Sequence, residues 1–357
     1  MGTLRLLLAV SVVAFHAGPI FGFRGMGAEA VPAFFVISGF YMALILETTY
    51  RGAVWTFYGN RLLRLFPLYW AVLLLIAVLA MVPSVGIEMI DNQTFSARMQ
   101  FKAATKTWMG AVPNLLIVGS DWLRQLTFDR VEGEVHWWLY GVPAGPGIVP
   151  LYQYLAVPQI WSVAVELTLY AAAPALILLR TRMLIALCAV AAIVGPTLTI
   201  NLGYRHMLPT ANFWYFMLGM IAWRALPRLD GAPRSLHLAL VAVTFAILIG
   251  WPLLSGPQVR DGLNVSILIV IFSVGLPSLF VLSKGWRTDR IIGDLSYPLF
   301  ITHMLFQFAT TGFGTYSGPL CLAVSLVVSV VLLLIVQEPI DRYRRVRAQH
   351  ARPSFAG

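Results

Sequence analysis

Residues 4–22 read LRLLLAVSVVAFHAGPIFG, a run with one charge, Arg5, at its start and one imidazole, His16, inside it. A helix crosses the hydrocarbon core of a bilayer with roughly 20 apolar residues, so this run is just long enough to span. An ionisable side chain inside such a helix costs about 2.5–3.5 kcal/mol on insertion scales, which makes His16 a functional-site candidate by default. A cleavable signal peptide begins in a similar way, but its apolar core is about 7–15 residues long. The following AGPIFGFRG is also a poor small-residue cleavage site.

The rest of the chain repeats the pattern. Of 357 residues, 59% are hydrophobic and 11% charged, with a mean hydropathy of +0.79, whereas a soluble domain carries about 25% charged residues. Long apolar segments replace the missing charge, so the sequence predicts an all-α polytopic membrane protein surrounded by lipid. The formal charge of +10 fits arginine-rich inner loops rather than nucleic acid. Cys188 and Cys321 both lie inside apolar runs, which suggests neither a disulfide framework nor a cysteine metal site. No Walker loop, HExxH or GxSxG is present, and no metal or tightly bound cofactor is expected.

Ten apolar runs begin near Leu4, Ala30, Leu62, Ile160, Met183, Ala211, Leu236, Leu263, Leu295 and Leu320. An eleventh, 103–119, is interrupted by Lys106, Pro113 and Asn114. The positive-inside rule favours leaving it out of the count. With ten spans and both termini cytoplasmic, the inner connections hold Arg51 and Arg61, Arg180 and Arg182, Arg224, Arg228 and Arg234, then Lys284, Arg287 and Arg290. The predicted organisation is a single transmembrane domain, 1–340, followed by a basic cytoplasmic tail, 341–357. Residues 82–159 form one long external region, rich in Trp, Tyr, Gly and Pro and suited to an interface. It carries an acceptor sequon at Asn92.

At a rise of about 1.5 Å per residue, His16 sits about 18 Å up a span of about 30 Å. Arg61 and Arg64 open the third span three residues apart and share a helix face. Ser162 and Glu166 share a face at the predicted outer end of the fourth span, and His303 lies near mid-depth in the ninth. Each has a plain structural reading: topology anchors for the arginines, an interfacial carboxylate for Glu166, a core histidine for His16 or His303. Together they describe a polar path from a basic inner face, past an imidazole, to an outer carboxylate.

These residues also carry a resemblance. Arg5 and His16 have the spacing of a basic residue, ten residues, then histidine; AFFVISGFYMALIL covers 33–46; Arg61-Leu-Leu-Arg64 is followed by FPLYW. Trp161-Ser-Val-Ala-Val-Glu166 is joined by Tyr170 and Pro174, and Ser296-Tyr297-Pro-Leu-Phe300-Ile-Thr-His303 completes the set. In that order, over nearly the whole length, the chain resembles the acyltransferase-3 family of integral membrane O-acyltransferases, in a form without a C-terminal esterase-like domain. Phe300 stands where the family pattern has tyrosine, which removes one hydroxyl.

The resemblance implies an acyl-CoA co-substrate, acetyl-CoA in the simplest case, used from the cytoplasmic side of a bacterial plasma membrane. It also implies a hydroxyl acceptor on the outer side, such as a surface or exported glycan. On that reading Arg5, Arg61 and Arg64 meet the donor's phosphates, because guanidinium forks suit phosphate. His16 is the general base that takes the acceptor's proton. Glu166 orients the imidazole or binds the acceptor, with Ser162, Tyr297 and His303 in support. A transporter or flippase would also line a path with such residues, though no internal repeat supports one. A polytopic glycosyltransferase would need an outer acid, for which Glu29 stands alone.

Overall fold

Each of the ten apolar runs contains a helix in the computed structural model, which describes residues 1–23, 25, 30–81, 108–129, 131–137, 147–198, 205–229, 231–255, 262–311 and 318–350. In chain order these are α1 (Gly2–Ala17), α2 (Ala30–Thr48), α3 (Val54–Met81), the short α4 (Trp108–Leu116), α5 (Trp161–Leu178), α6 (Thr181–Leu198) and α7 (Pro209–Ala225). Then follow α8 (Arg234–Ser255), α9 (Gly262–Ser283), the short α10 (Arg287–Asp294), α11 (Ser296–Thr311), α12 (Gly318–Leu332) and α13 (Glu338–His350). Glu29, all of 82–107 with Asn92, and 138–146 lie outside the described residues, as do 351–357.

Six segments among the described residues are long and apolar enough to cross a membrane: Ala30–Thr48, Val54–Leu79, Pro158–Leu178, Thr181–Leu198, Asn264–Ser283 and Gly318–His350. Gly2–Ala17 and Arg234–Gly250 are apolar but shorter. Helices α7 and α11, with 17 and 16 residues, are also below spanning length. Short helices at membrane depth are tolerated where protein rather than lipid surrounds their ends. Accordingly, α7 buries most of its length, Trp214, Phe216, Met217 and Met220 included. By contrast α3, α6 and α12 expose apolar side chains such as Leu74, Val78, Ile193, Leu198 and Val327, the surface expected of helices that face hydrocarbon.

Helix α2 is the centre of the bundle, with Phe35, Val36, Ile37, Phe40 and Met42 all buried. It meets α7 at a reciprocal glycine contact. A Cβ on Gly39 would lie 1.9 Å from the Phe216 carbonyl oxygen, and one on Gly219 would lie 1.9 Å from that of Val36. Such backbone proximity drives helix association where lipid removes the hydrophobic incentive. At the other end of the molecule, β1 (Leu126–Asp129) pairs antiparallel with β2 (Val135–Trp137) and β3 (Ile148–Pro150). Helix α4, about 13 Å long at 1.5 Å per residue, is too short to span. It docks on α3 through the Trp70 indole N–H, which donates to the Leu115 carbonyl at 2.9 Å.

One polar contact sets the position of α1. The first N–H groups of a helix have no partner within it. Those of Gly2 and Thr3 donate to the Asp289 carboxylate of α10 at 2.7 and 2.8 Å, as does the Thr3 hydroxyl at 2.8 Å. The Met1 amino nitrogen lies 2.5 Å from the same carboxylate and 2.5 Å from Ser283 Oγ. The approach requires Gly2, since a Cβ there would come within 1.7 Å of the Asp289 carbonyl oxygen. Burial pushes the Asp289 carboxyl up, but the bonds from the amino group, Thr3 and Gly2 outweigh it and hold it well below the usual carboxylate range. Its contribution is therefore full above the unfolded value near 3.9 and is lost as pH falls toward the depressed folded value. Asp289→Ala is expected to cost about 0.5–2 kcal/mol, the range for a lost helix cap. Thermal unfolding in detergent should show a gap between variant and parent at pH 7 that narrows below about pH 4.

Candidate functional site

A cavity of about 870 Å³ opens at the end of the bundle where α1 begins, α9 ends and α13 turns back over α3. Its wall carries Arg5, Arg61, Arg64, Arg344 and Arg345, with Lys284, Arg287 and Arg290 toward the α9–α10 elbow. The carboxylates that face them are Glu166, Asp289, Asp294, Glu338 and Asp341. Eight cations against five acids leave the cavity with an excess of positive charge, and low-dielectric walls focus such a field on an entering anion.

Arg61 and Arg64 share a wall, as their spacing predicts. Arg61 is only 7% exposed, and its Nε has no hydrogen-bond partner among the described residues. A buried donor left unmet is costly, so this guanidinium is suited to an acceptor that the described residues do not supply. Arg344, from the segment read in sequence as a basic tail, completes the group. Its Nε donates to the Asn60 carbonyl at 2.8 Å and its Nη1 to Asp341 Oδ1. Asn60 Nδ2 in turn donates to the Tyr50 hydroxyl at 2.8 Å. Burial pushes the Asp294 carboxyl up, against the pull of Arg64.

Glu166 lies in this same cavity, and here the depth reading needs correction. Counting rise from Trp161 as though α5 began at the membrane surface put Glu166 at the outer end. The chain that leads into α5 is itself interior, with Leu151, Leu155, Ala156, Val157 and Ile160 all buried. Helix α5 therefore starts inside the bundle, and Glu166 falls beside the arginines. Its Oε1 accepts from Ser38 Oγ at 2.7 Å and from the Tyr170 hydroxyl, while Ser38 Oγ and Tyr170 OH lie 3.0 Å apart. Ser162 and Tyr297 also line the cavity. Their hydroxyls are committed to carbonyls, Ser162 to Gln159 at 3.1 Å and Tyr297 to Leu65 at 2.9 Å.

The two histidines form a separate pair at the far end of α1. His303 Nε2 lies 3.4 Å from His16 Nδ1, with ring centroids 5.3 Å apart. Neither lines the cavity. Their protons can be assigned from acceptor-only partners. His303 Nδ1 is 2.7 Å from the Phe300 carbonyl, so it carries the N–H and its Nε2 holds the lone pair. His16 Nδ1, 3.0 Å from the Val12 carbonyl, must likewise be the donor. A neutral His16 then presents its basic lone pair on Nε2, which has no partner among the described residues. The Gln307 side-chain amide donates to the His16 carbonyl at 2.7 Å and fixes this end of α1.

Between the pair and the cavity stand Phe34 and Phe300, which both line the cavity and whose rings contact edge to face at 6.3 Å. Arg124 belongs to the segment that leads into α5. That guanidinium rests 5.0 Å over the Tyr152 ring and donates to the Pro158 carbonyl at 2.7 Å. The cap that holds it is pinned by Asn114, which donates to the Tyr154 carbonyl at 2.6 Å and accepts from the Ala156 N–H at 2.8 Å. Elsewhere, Glu132, Glu134 and His136 bring ligand atoms within 4.8 Å of one another on an exposed hairpin, and none of them lines the cavity.

Sequence reasoning missed Ser38, Arg344, Arg124 and the phenylalanine pair. Ser38 had a readable signal, as a hydroxyl in an otherwise apolar run. Arg344 had none, because a π turn at Leu333–Gln337 breaks the helical phase that would have aimed it. The assembled site can hold an anionic ligand in a deep basic cavity and offers a base one aromatic layer beyond it. No curated protein and no solved structure matches the chain. A family model described as an acyltransferase domain matches residues 2–336, which settles the choice between transferase and transporter. The chain belongs to the acyltransferase-3 family and is a membrane acyltransferase.

Proposed function

We propose that the basic cavity binds acyl-CoA from the cytoplasmic side and that His16, as general base, promotes transfer of its acyl group, acetyl in the simplest case, to a hydroxyl on the outer side. The acceptor in this reading is a sugar of a surface or exported glycan, and the membrane is a bacterial plasma membrane crossed ten times with both termini inside. The observation that carries the proposal is the placement of the His16–His303 pair beyond a cavity lined by Arg5, Arg61, Arg64 and Arg344.

The donor's phosphates pair with the guanidiniums, and the orphaned Nε of Arg61 gains an acceptor. The slender pantetheine arm carries the thioester past Phe34 and Phe300. His16 Nε2 takes the acceptor's hydroxyl proton as its oxygen attacks the thioester carbon. The new C–O bond forms, the C–S bond breaks, and the proton passes to the departing sulfur, which restores neutral His16. His303 steadies the imidazolium through its Nε2 lone pair, which faces His16 Nδ1. Glu166, hydrogen-bonded to Ser38 and Tyr170, orders the cavity wall rather than the imidazole. Arg124 and the aromatic-rich cap form the acceptor side.

His16→Ala is expected to reduce acyl transfer by about 10²–10⁴-fold, the usual share of a positioned general base, with unchanged protein in the membrane. Label transfer from acyl-CoA into membrane glycans measures it, and full activity would remove His16 from the mechanism. Arg61→Ala and Arg344→Ala are each expected to weaken acyl-CoA binding about 10–100-fold, the loss of one charge-assisted hydrogen bond. Isothermal titration with the detergent-purified protein checks it, and unchanged affinity would return both residues to a structural role.

A further inference from the structure

We propose that Phe34 and Phe300 limit the donor to short acyl groups, which makes them the specificity-determining residues of this enzyme. The inference rests on the reading that acyl-CoA occupies the cavity. The two rings, on α2 and α11, meet edge to face with centroids 6.3 Å apart, a contact that leaves no passage between them. Both line the cavity, and the Phe300 ring also lies 5.9 Å from the His303 ring. A thioester that passes from the cavity to His16 between α2 and α11 must therefore displace this pair.

The backbone gives the pair little room to yield. The Phe300 carbonyl accepts from His303 Nδ1 at 2.7 Å and from Gln159 Nε2 at 3.2 Å, so the ring can turn about its side-chain bonds but its Cα cannot retreat. Phe34 packs against both hydrophobic clusters of the protein. The smaller cluster lies on the histidine side, where Ala9, Val13, Ala14, Leu299 and Cys321 are almost fully buried. With the thioester carbon beside His16, the acyl tail must occupy space among these side chains and the two rings. A methyl group needs a small ring rotation, whereas a longer chain needs the volume of a ring. Phe300 also presents a wholly apolar face, with no hydroxyl to anchor a polar acyl group.

The test uses membrane vesicles from a host that carries the native acceptor, given acetyl-, butyryl- or hexanoyl-CoA labelled in the acyl carbonyl. Label recovered in products other than CoA esters gives a hexanoyl-to-acetyl ratio. Since one methylene in a tight apolar site is worth about 10–200-fold, the parent should strongly prefer acetyl-CoA. Phe300→Ala and Phe34→Ala should each raise the ratio at least about tenfold, and Phe300→Tyr, which keeps the ring, should leave it near the parental value. An unchanged ratio in both alanine variants, or loss of all transfer in both with protein at parental levels, overturns the proposal and leaves the donor reading standing. No label from any acyl-CoA in parental vesicles overturns the donor reading, and this inference with it.

Discussion

A guanidinium removed from water must find its partners inside the protein, and this bundle brings seven arginines to the wall of one cavity. Desolvation of a cation costs several kcal/mol even after relaxation, and the carboxylates present do not match the cations in number. Arg344 is answered by Asp341 and by a backbone carbonyl, while among the described residues Arg61 keeps a buried donor without a partner. That imbalance is unfavourable for stability and favourable for binding, since an entering polyanion supplies what the fold withholds. The rest of the architecture serves to keep this arrangement from collapsing. Glycine contacts lock α2 to α7, and α13 lies across α3 with Arg344 and Asn60 interleaved.

In the proposed mechanism the chemistry divides between this charged chamber and the imidazole pair, with the Phe34–Phe300 contact between them. His303 is fully buried, held by the Phe300 carbonyl and facing His16. The division leaves Glu166 on the chamber side, in a hydroxyl cluster with Ser38 and Tyr170. A carboxylate placed against His16 would have fixed its tautomer by charge. Here the same assignment comes from two backbone carbonyls, those of Val12 and Phe300.

Much of this was legible in the residues. The apolar runs gave the helices, because lipid permits little else, and the arginines at 5, 61 and 64 were visible as charges where charge is expensive. The pairing of His16 with His303 was not, since two residues 287 positions apart meet only through the packing of α1 on α11. The depth of Glu166 was misread because hydropathy cannot tell a helix that starts at the surface from one that starts inside. Arg344 was hidden by the π turn before it. The aromatic partition looked like ordinary core, which in composition it is.

Helix α1 is held at its first turn by Asp289 and at its last by Gln307, so it cannot slide along its axis. Its eleven-residue interval from Arg5 to His16 is then a fixed spacer of about 16 Å, set by helical rise rather than by side-chain choice. On the proposed reading, a donor gripped by its phosphates at one end would present its reactive carbon at one distance only. The spacer would then measure the whole carrier as well as the group it carries, and an acyl thioester on a truncated arm would reach either the arginines or His16 but not both.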